Sequence, residues 1–252
     1  GQLGIIGSAT SPDSSTQSSS QSTDKADGGH SSNGSGTDNA NGTGGVGGTD
    51  GADGDNQDTV TDNPLKIVES GWSADQQGYV HYAFALRNTS KTQQVQYPQI
   101  TITGRAKDGS IVFSQTQALN MAFPNQTVYD AGQAGEGTAP ETVDFTVLNP
   151  DTYNVAKAQG TAAFPISGIS KIDNRDGGTT FNGEVRAVAD GFKPSDGQQI
   201  KISLVLRNAQ NAIIYGDIAF VDWPGNGRST PFSITVYDLP KYVSYDLYAQ
   251  IW

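Results

Sequence analysis

Residues 79–86 read Tyr-Val-His-Tyr-Ala-Phe-Ala-Leu, and large apolar side chains stand at every second position of this stretch. These side chains are Val80, Tyr82, Phe84 and Leu86. A period of two is typical of a β-strand that turns one face toward a hydrophobic core. The stretch therefore predicts a half-buried strand, with Tyr79 and His81 on its polar face.

The same alternation recurs downstream, where residues 100–103 read Ile-Thr-Ile-Thr and residues 200–207 read Ile-Lys-Ile-Ser-Leu-Val-Leu-Arg. Turn-forming residues follow both stretches, as Asp108-Gly109 in the first case and as residues 208–211 in the second. Such residues favour tight hairpins. Helical periodicity never persists beyond two turns. The sequence therefore predicts an all-β fold.

Residues 7–64 have a different composition, since Ser, Gly, Thr, Asp and Asn dominate and the only large apolar side chains are Val46 and Val60. A segment with so little apolar surface cannot offset the entropy of ordering its backbone. Its nine Asp and one Lys give it a net charge of −8, out of −11 for the whole chain. We expect residues 1–64 to form a disordered acidic stalk.

Residues 2–6, Gln-Leu-Gly-Ile-Ile, form a short apolar stub before the stalk. It is far below the roughly 18 apolar residues that a membrane span needs. The stub is either an ordinary apolar terminus or the remnant of a signal or anchor segment. We favour the remnant, because a polar stalk directly after an apolar segment is typical of exported proteins. This predicts an extracytoplasmic protein, secreted or at the cell surface, that meets a membrane only through a removed anchor.

Residues 65–252 contain pairs of similar landmarks that lie about 85 to 100 residues apart. They are the two hairpins, the aromatic-proline steps at 123–124 and 223–224, the strands opened by Phe145 and Phe232, and the alternating strands at 153–164 and 242–252. This spacing suits tandem immunoglobulin-like β-sandwiches. We expect one sandwich over 65–160 and a second over 161–252, with limited hinge motion because the connection is short.

Several of these motifs carry a family resemblance. Asn88-Thr-Ser90, the Asp-Gly hairpin, the proline-bearing turn and residues 232–240, Phe-Ser-Ile-Thr-Val-Tyr-Asp-Leu-Pro, resemble the FxLyD domain family. Phe145 and Phe232 would be the family's Phe, although Val-Leu-Asn at 147–149 departs from the expected Leu-Tyr-Asp. The resemblance implies small β-sandwiches in a bacterial surface or lipoprotein-like protein, and it supplies no catalytic residues.

The sequence offers little for catalysis. It has no cysteine and two histidines, His30 in the stalk and His81 on a strand. A zinc site needs more histidine or cysteine side chains than the folded part of the sequence supplies, and no serine-nucleophile motif lies near His81 to form a Ser-His-Asp triad. The Asp residues beside Gly suit turn capping better than glycoside hydrolysis. The acidic run 50–58 lacks the spacing of a calcium loop. We expect no enzymatic activity, no cofactor, no metal site and, without a basic run, no nucleic-acid partner.

The C-terminal strand, residues 242–252, is the one candidate ligand surface. Its alternation places Val243, Tyr245, Leu247, Ala249 and Ile251 toward the core. Tyr242, Tyr248 and Trp252 then share the opposite face with polar side chains, where aromatic rings suit a flat ligand. The alternative, which we favour, is that these rings pack across strands or against a neighbouring domain.

The expected function is that of a non-enzymatic module displayed on a flexible stalk for binding, adhesion or scaffolding. Its partner would be an unknown extracellular protein or a glycan, and the chain is expected to be a monomer. The alternative is a carbohydrate-binding module that uses Tyr242, Tyr248 and Trp252.

Overall fold

The structure is a computed structural model that describes residues 59, 60 and 62–252, all of which fall within one compact unit. The apolar stub and nearly all of the expected stalk lie outside the described residues. Described contacts begin before Leu65, because Thr59 pairs with Asp151 and the Val60 N–H donates to the carbonyl of Pro150 at 3.1 Å.

The described chain is built almost entirely of antiparallel β-strands, which confirms the all-β prediction. The strands of the N-terminal half (residues 59–157) are β1 (Leu65–Ala74), β2 (Val80–Asn88), β3 (Gln93–Gln96), β4 (Gln99–Arg105), β5 (Ile111–Ala118), β6 (Met121–Ala122), β7 (Thr127–Ala134), β8 (Thr142–Val147) and β9 (Val155–Lys157). Those of the C-terminal half (residues 158–252) are β10 (Thr161–Ala163), β11 (Ile166–Asp173), β12 (Thr179–Arg186), β13 (Val188–Asp190), β14 (Gln199–Arg207), β15 (Ile213–Asp222), β16 (Ser229–Val236) and β17 (Ser244–Ile251).

The same connection pattern occurs twice. The N-terminal half contains the sheets β1-β2-β7 and β5-β4-β8, and the C-terminal half contains β11-β12-β16 and β15-β14-β17. Both predicted hairpins are present, with Gly109 and Asn211 in the left-handed conformation, at φ values of 86° and 62°, that tight turns require. The division into two immunoglobulin-like domains at residues 160 and 161 stays a prediction.

Two details of the expected repeat differ in the structure. Phe145 lies on β8, which pairs with β4, whereas Phe232 lies on β16, which pairs with β12. By sheet position β16 corresponds to β7 and β8 to β17, so the two Phe residues do not occupy equivalent strands. A single aromatic among alternating residues fits many strands, and the sequence does not specify which partner each strand takes.

Residues 153–164 were expected to form one alternating strand, and this expectation is wrong. They form a 3-10 helix (Thr152–Asn154) followed by β9 and β10, which pair with different partners, β3 and β13. Gly160 separates the two strands and lies against Gly191, since a Cβ at Gly160 would be 2.3 Å from the Gly191 carbonyl carbon. The chain therefore changes sheets at this glycine.

Each half has its own hydrophobic core between its two main sheets. The N-terminal core contains the alternating side chains of β2, namely Val80, Tyr82, Phe84 and Leu86, together with Ile100, Ile102, Phe113 and Val128. The C-terminal core contains Phe181, Val185, Ile200, Ile202, Leu204, Leu206, Phe232, Ile234 and Val236, among others. The period-two stretches thus predicted the inward faces of β2 and β14 correctly.

The two halves pack through the outer faces of the sheets β1-β2-β7 and β15-β14-β17. A small third cluster, Ala83, Ala131, Val205 and Ile213, lies at this contact. Both sheets therefore bury part of their outer faces as well as their inner faces, and the central strand β14 is buried along nearly its whole length. On β14 the polar positions of the alternation, including Lys201 and Arg207, are buried together with the apolar ones.

Glycine permits the close approach of the two sheets. A Cβ at Gly216 on β15 would lie 2.3 Å from the carbonyl oxygen of Tyr82 on β2, and one at Gly71 on β1 would lie 1.8 Å from the carbonyl oxygen of Ile213. These neighbours are backbone atoms, which cannot rotate away. The spacing of the halves therefore depends on these two glycines.

Gly216→Ala should lower the free energy of unfolding by about 1–3 kcal/mol or more, because the added methyl group forces the two sheets apart. Urea unfolding measures the change. Ser70→Ala, at an exposed position of β1, is the control and should change stability by less than about 0.5 kcal/mol. Equal stability of Gly216→Ala and the wild type would contradict the close approach.

Candidate functional site

Strand β17 holds the C-terminal residues against β14 along its whole length. Leu247 and Ile251 enter the C-terminal core, and Tyr245 and Ala249 pack against it, as the alternation predicted. Val243 was also expected in the core, but its side chain is 69% exposed. The strand begins only at Ser244, so the alternation does not extend back to Val243.

The structure does not bring Tyr242, Tyr248 and Trp252 together, because each packs on a different hydrophobic cluster. Tyr242 lies against the C-terminal core, with its ring centroid 6.5 Å from that of Phe181. Tyr248 stacks on Tyr129 of the N-terminal half, with centroids 3.7 Å apart.

Trp252 packs against the N-terminal core although it belongs to the C-terminal half. Its ring lies 4.1 Å from Nζ of Lys201 and its centroid is 5.9 Å from that of Phe220. Two of the three candidate aromatics thus serve the contact between the halves. Their role in ligand binding stays a prediction.

A buried ion pair crosses the same contact. Lys201 on β14 is 2% exposed, Asp130 on β7 is 0% exposed, and Nζ lies 2.8 Å from Oδ1. Gln250 on β17 donates from Nε2 to the same Asp130 oxygen at 2.9 Å, and to the carbonyl of Tyr129 at 3.3 Å. Burial of charges costs free energy that such close pairing must offset, so the two halves are tightly positioned here.

A second ionic cluster lies at the other end of β14, where the Arg207 guanidinium contacts both carboxylate oxygens of Glu69 on β1. Its Nε also donates to Asp246 at 2.8 Å, and the hydroxyl of Tyr129 donates to Glu69 at 3.0 Å. The hydrogen bonds from Arg207 hold the pKa of Glu69 below its ordinary value, against the opposing effect of burial. Burial, followed by the bond to Glu69, raises the pKa of Tyr129.

His81 also lies at the contact, although the sequence places it on the polar face of its strand. Its ring stacks on Tyr215 of the C-terminal half at a centroid distance of 4.8 Å, and Nε2 lies 2.9 Å from Oδ2 of Asp75. Asp217 lies close enough for His81 to lower its pKa, but burial dominates and raises it. The packing of the C-terminal half on β2 explains why His81 is half-buried although it lies on the polar face of the strand.

A surface recess of about 540 Å³ lies in the N-terminal half, next to the point where the described chain begins. Its lining includes Thr59, Tyr97, Gln99, Leu148, Asn149 and Asp151. Just outside the lining, Tyr153 is 80% exposed and donates from its hydroxyl to Asp151 at 2.9 Å. The recess thus combines an aromatic ring with amide and carboxylate groups.

Tyr97 has an unusual backbone conformation for its residue type. Its φ is 53°, in the left-handed region that a bulky residue rarely adopts, and it precedes Pro98, which further restricts it. A hydrogen bond from its N–H to the carbonyl of Asn120 at 2.9 Å holds this conformation, and the side chain is 51% exposed. Strained residues of this kind cluster at ligand sites. Tyr97 was not predicted as a site residue, since the only local signal in the sequence is the Tyr-Pro step at 97–98.

Within residues 59, 60 and 62–252, no three His, Cys, Asp or Glu side chains lie close enough together to hold a metal ion. In the same part of the chain, no helix has the length and apolarity to span a bilayer.

Comparisons of the chain with models of known protein families and with curated proteins gave no match. The resemblance to the FxLyD domain family therefore stays a prediction.

Glu69→Gln should lower the free energy of unfolding at neutral pH by about 1.5–3 kcal/mol, the range for hydrogen bonds to charged groups. Because the pKa of Glu69 is lower in the folded state than in the unfolded chain, this stabilisation is present above the ordinary glutamate pKa. It is lost as the pH falls through the folded-state pKa. Urea unfolding of wild type and variant at pH 7 and pH 3 should therefore show a difference that shrinks in acid.

Glu184→Gln is the matched control, since Glu184 is exposed on β12, on the far side of the C-terminal core. It should show no such pH-dependent difference. A Glu69→Gln effect of the same size at both pH values would contradict the role of the ionised pair.

Proposed function

We propose that the chain is a non-enzymatic extracytoplasmic module that is displayed on its polar N-terminal segment and binds or scaffolds a partner. Two features support display. The composition of residues 7–64 predicts a hydrophilic tether, and the ionic contacts across the two halves give the body a fixed shape.

The recess around Tyr97 is the binding surface that the geometry supports best. An exposed ring gives a large contact area at little entropy cost, and the flanking Gln99, Asn149 and Asp151 can exchange hydrogen bonds with a polar partner. The observation that carries the proposal is the exposed Tyr97 ring, held in a strained backbone conformation beside these polar groups. A glycan or a polar protein surface is the matching class of partner.

Tyr97→Asn tests this function, because Asn tolerates the left-handed backbone but removes the ring. We expect the full chain to bind at least one member of an array of glycans and extracellular proteins, and Tyr97→Asn to weaken that binding about tenfold or more. Its stability in urea should not fall.

Tyr237→Asn is the matched control, since Tyr237 is a tyrosine about as exposed as Tyr97, at 53% against 51%. It lies outside the recess, with its hydroxyl donating to Asp176 at 2.9 Å. Binding by Tyr237→Asn should equal that of the wild type. Binding that survives Tyr97→Asn unchanged, or a chain that binds nothing on the array, would overturn the proposed site.

Carbohydrate binding by Tyr242, Tyr248 and Trp252 is a second candidate, supported by the fact that all three residues are only half-buried. The same array of glycans and extracellular proteins distinguishes the two candidate sites. Loss of glycan binding in Tyr248→Ala and Trp252→Ala, with full binding in Tyr97→Asn, would favour the C-terminal strand over the recess.

A further inference from the structure

Lys201 and Asp130 have an unusual set of contacts for a simple ion pair. Both are almost completely buried, on strands from different halves, with Nζ 2.8 Å from Oδ1. Gln250 donates to the same oxygen at 2.9 Å. The second carboxylate oxygen, Oδ2, has no hydrogen-bond partner among residues 59, 60 and 62–252.

Within the described chain, three buried side-chain atoms have no hydrogen-bond partner: Asp130 Oδ2, Ser203 Oγ and Gln250 Oε1. Two of them belong to residues of this contact, and Ser203 lies two residues beyond Lys201 on the same strand. An ionised carboxylate can accept about four hydrogen bonds. A buried carboxylate with one unpartnered oxygen is therefore an unfavourable ground state.

We propose that Lys201 and Asp130 condense to form an intramolecular amide that joins the two halves covalently. One proton moves from Nζ to Oδ1, the oxygen that Nζ contacts, which gives a neutral amine and a carboxylic acid. The Nζ lone pair then attacks Cγ, and a second proton passes from Nζ to Oδ2 once both atoms are bonded to Cγ. The Cγ–Oδ2 bond breaks as Oδ2 takes the proton from Oδ1, so that Oδ2 leaves as water and Oδ1 stays as the amide oxygen. No electrons are gained or lost, and no co-reactant is needed.

Proximity favours this reaction, since the fold holds the amine and the carboxyl group in contact. Positioned groups react with effective concentrations far above those reached in solution. The carbon under attack, Cγ, is bonded directly to the Oδ1 atom that lies 2.8 Å from Nζ. Strand pairing fixes both partners, because β7 is paired along β2 and β14 along β15 and β17. Lys201 stands directly opposite Gln250 in that register.

The surroundings favour the product as well. The Trp252 ring at 4.1 Å and the Phe220 ring at 5.8 Å from Nζ shield the amine from water. An amide carries no charge, so condensation removes the free-energy cost of two buried charges. The oxygen that stays, Oδ1, is the one to which Gln250 donates, and a donor in that position stabilises the negative charge that develops during attack.

The intact mass of the full chain, measured under denaturing conditions, tests the inference, which does not depend on the proposed function. We expect a mass lower than that of the sequence by one water molecule. A mass equal to that of the sequence, after the folded protein has been held at room temperature for days, would overturn the proposal.

Peptide mapping locates the lost water. Trypsin should fail to cleave after Lys201, and the peptide that contains Asp130 should be joined to the peptide that contains Lys201. Asp-Gly pairs such as Asp108-Gly109 can also lose water by cyclising, but the two peptides would then stay separate. That result would overturn the cross-link.

Lys201→Met and Asp130→Ala should each restore the full mass. Lys171→Met is the matched control, since Lys171 pairs with Asp173 at 3.8 Å on the surface, and it should keep the loss of one water. Retention of the water loss in Lys201→Met would contradict the assignment to these two side chains.

Discussion

Strand β14 is buried on both faces, and the structure depends on the ionic partners of the charged side chains on its polar face. Lys201 needs the carboxylate of Asp130, and Arg207 needs that of Glu69, because a buried charge without a partner is far more costly than a neutral side chain. Both carboxylates belong to the N-terminal half. The requirement for two ionic partners at opposite ends of one strand fixes the rotation and the register of the halves. Gly71 and Gly216 then allow the backbones to approach.

This arrangement limits where a partner can bind. Of the four main sheets, β1-β2-β7 and β15-β14-β17 turn their outer faces toward the contact between the halves, which also engages Tyr248 and Trp252. Binding surfaces are therefore best sought away from these two faces, for example at loops and strand ends. The recess beside Tyr97 is such a place, and it adjoins Thr59, where the described chain begins. A partner held there would lie close to the polar N-terminal segment.

The inward faces of the strands were predictable from the sequence, because a period of two in apolar residues directly reports one buried face, as in β2 and β14. The outward faces were not. Lys201 and Arg207 alternate with apolar residues just as surface side chains do, and only packing of the other half shows that they are buried. Val243 and residues 153–164 were misassigned because alternation does not reveal where a strand ends. Tyr97 was not predicted as a site residue, because what sets it apart is its backbone conformation, which composition and spacing do not specify.

We infer that the two halves form one cooperative unit through the polar face of β14. Hydrogen exchange in mild urea, followed by mass spectrometry on the full chain and on Arg207→Met, tests it most directly. Amides of β4 and β12, the central strands of the outermost sheet in each half, are far from the substitution. We expect their protection to fall by the same factor in the variant, because both halves open together. Loss of protection in β12 with unchanged protection in β4 would show that the halves unfold independently and would contradict the cooperative unit.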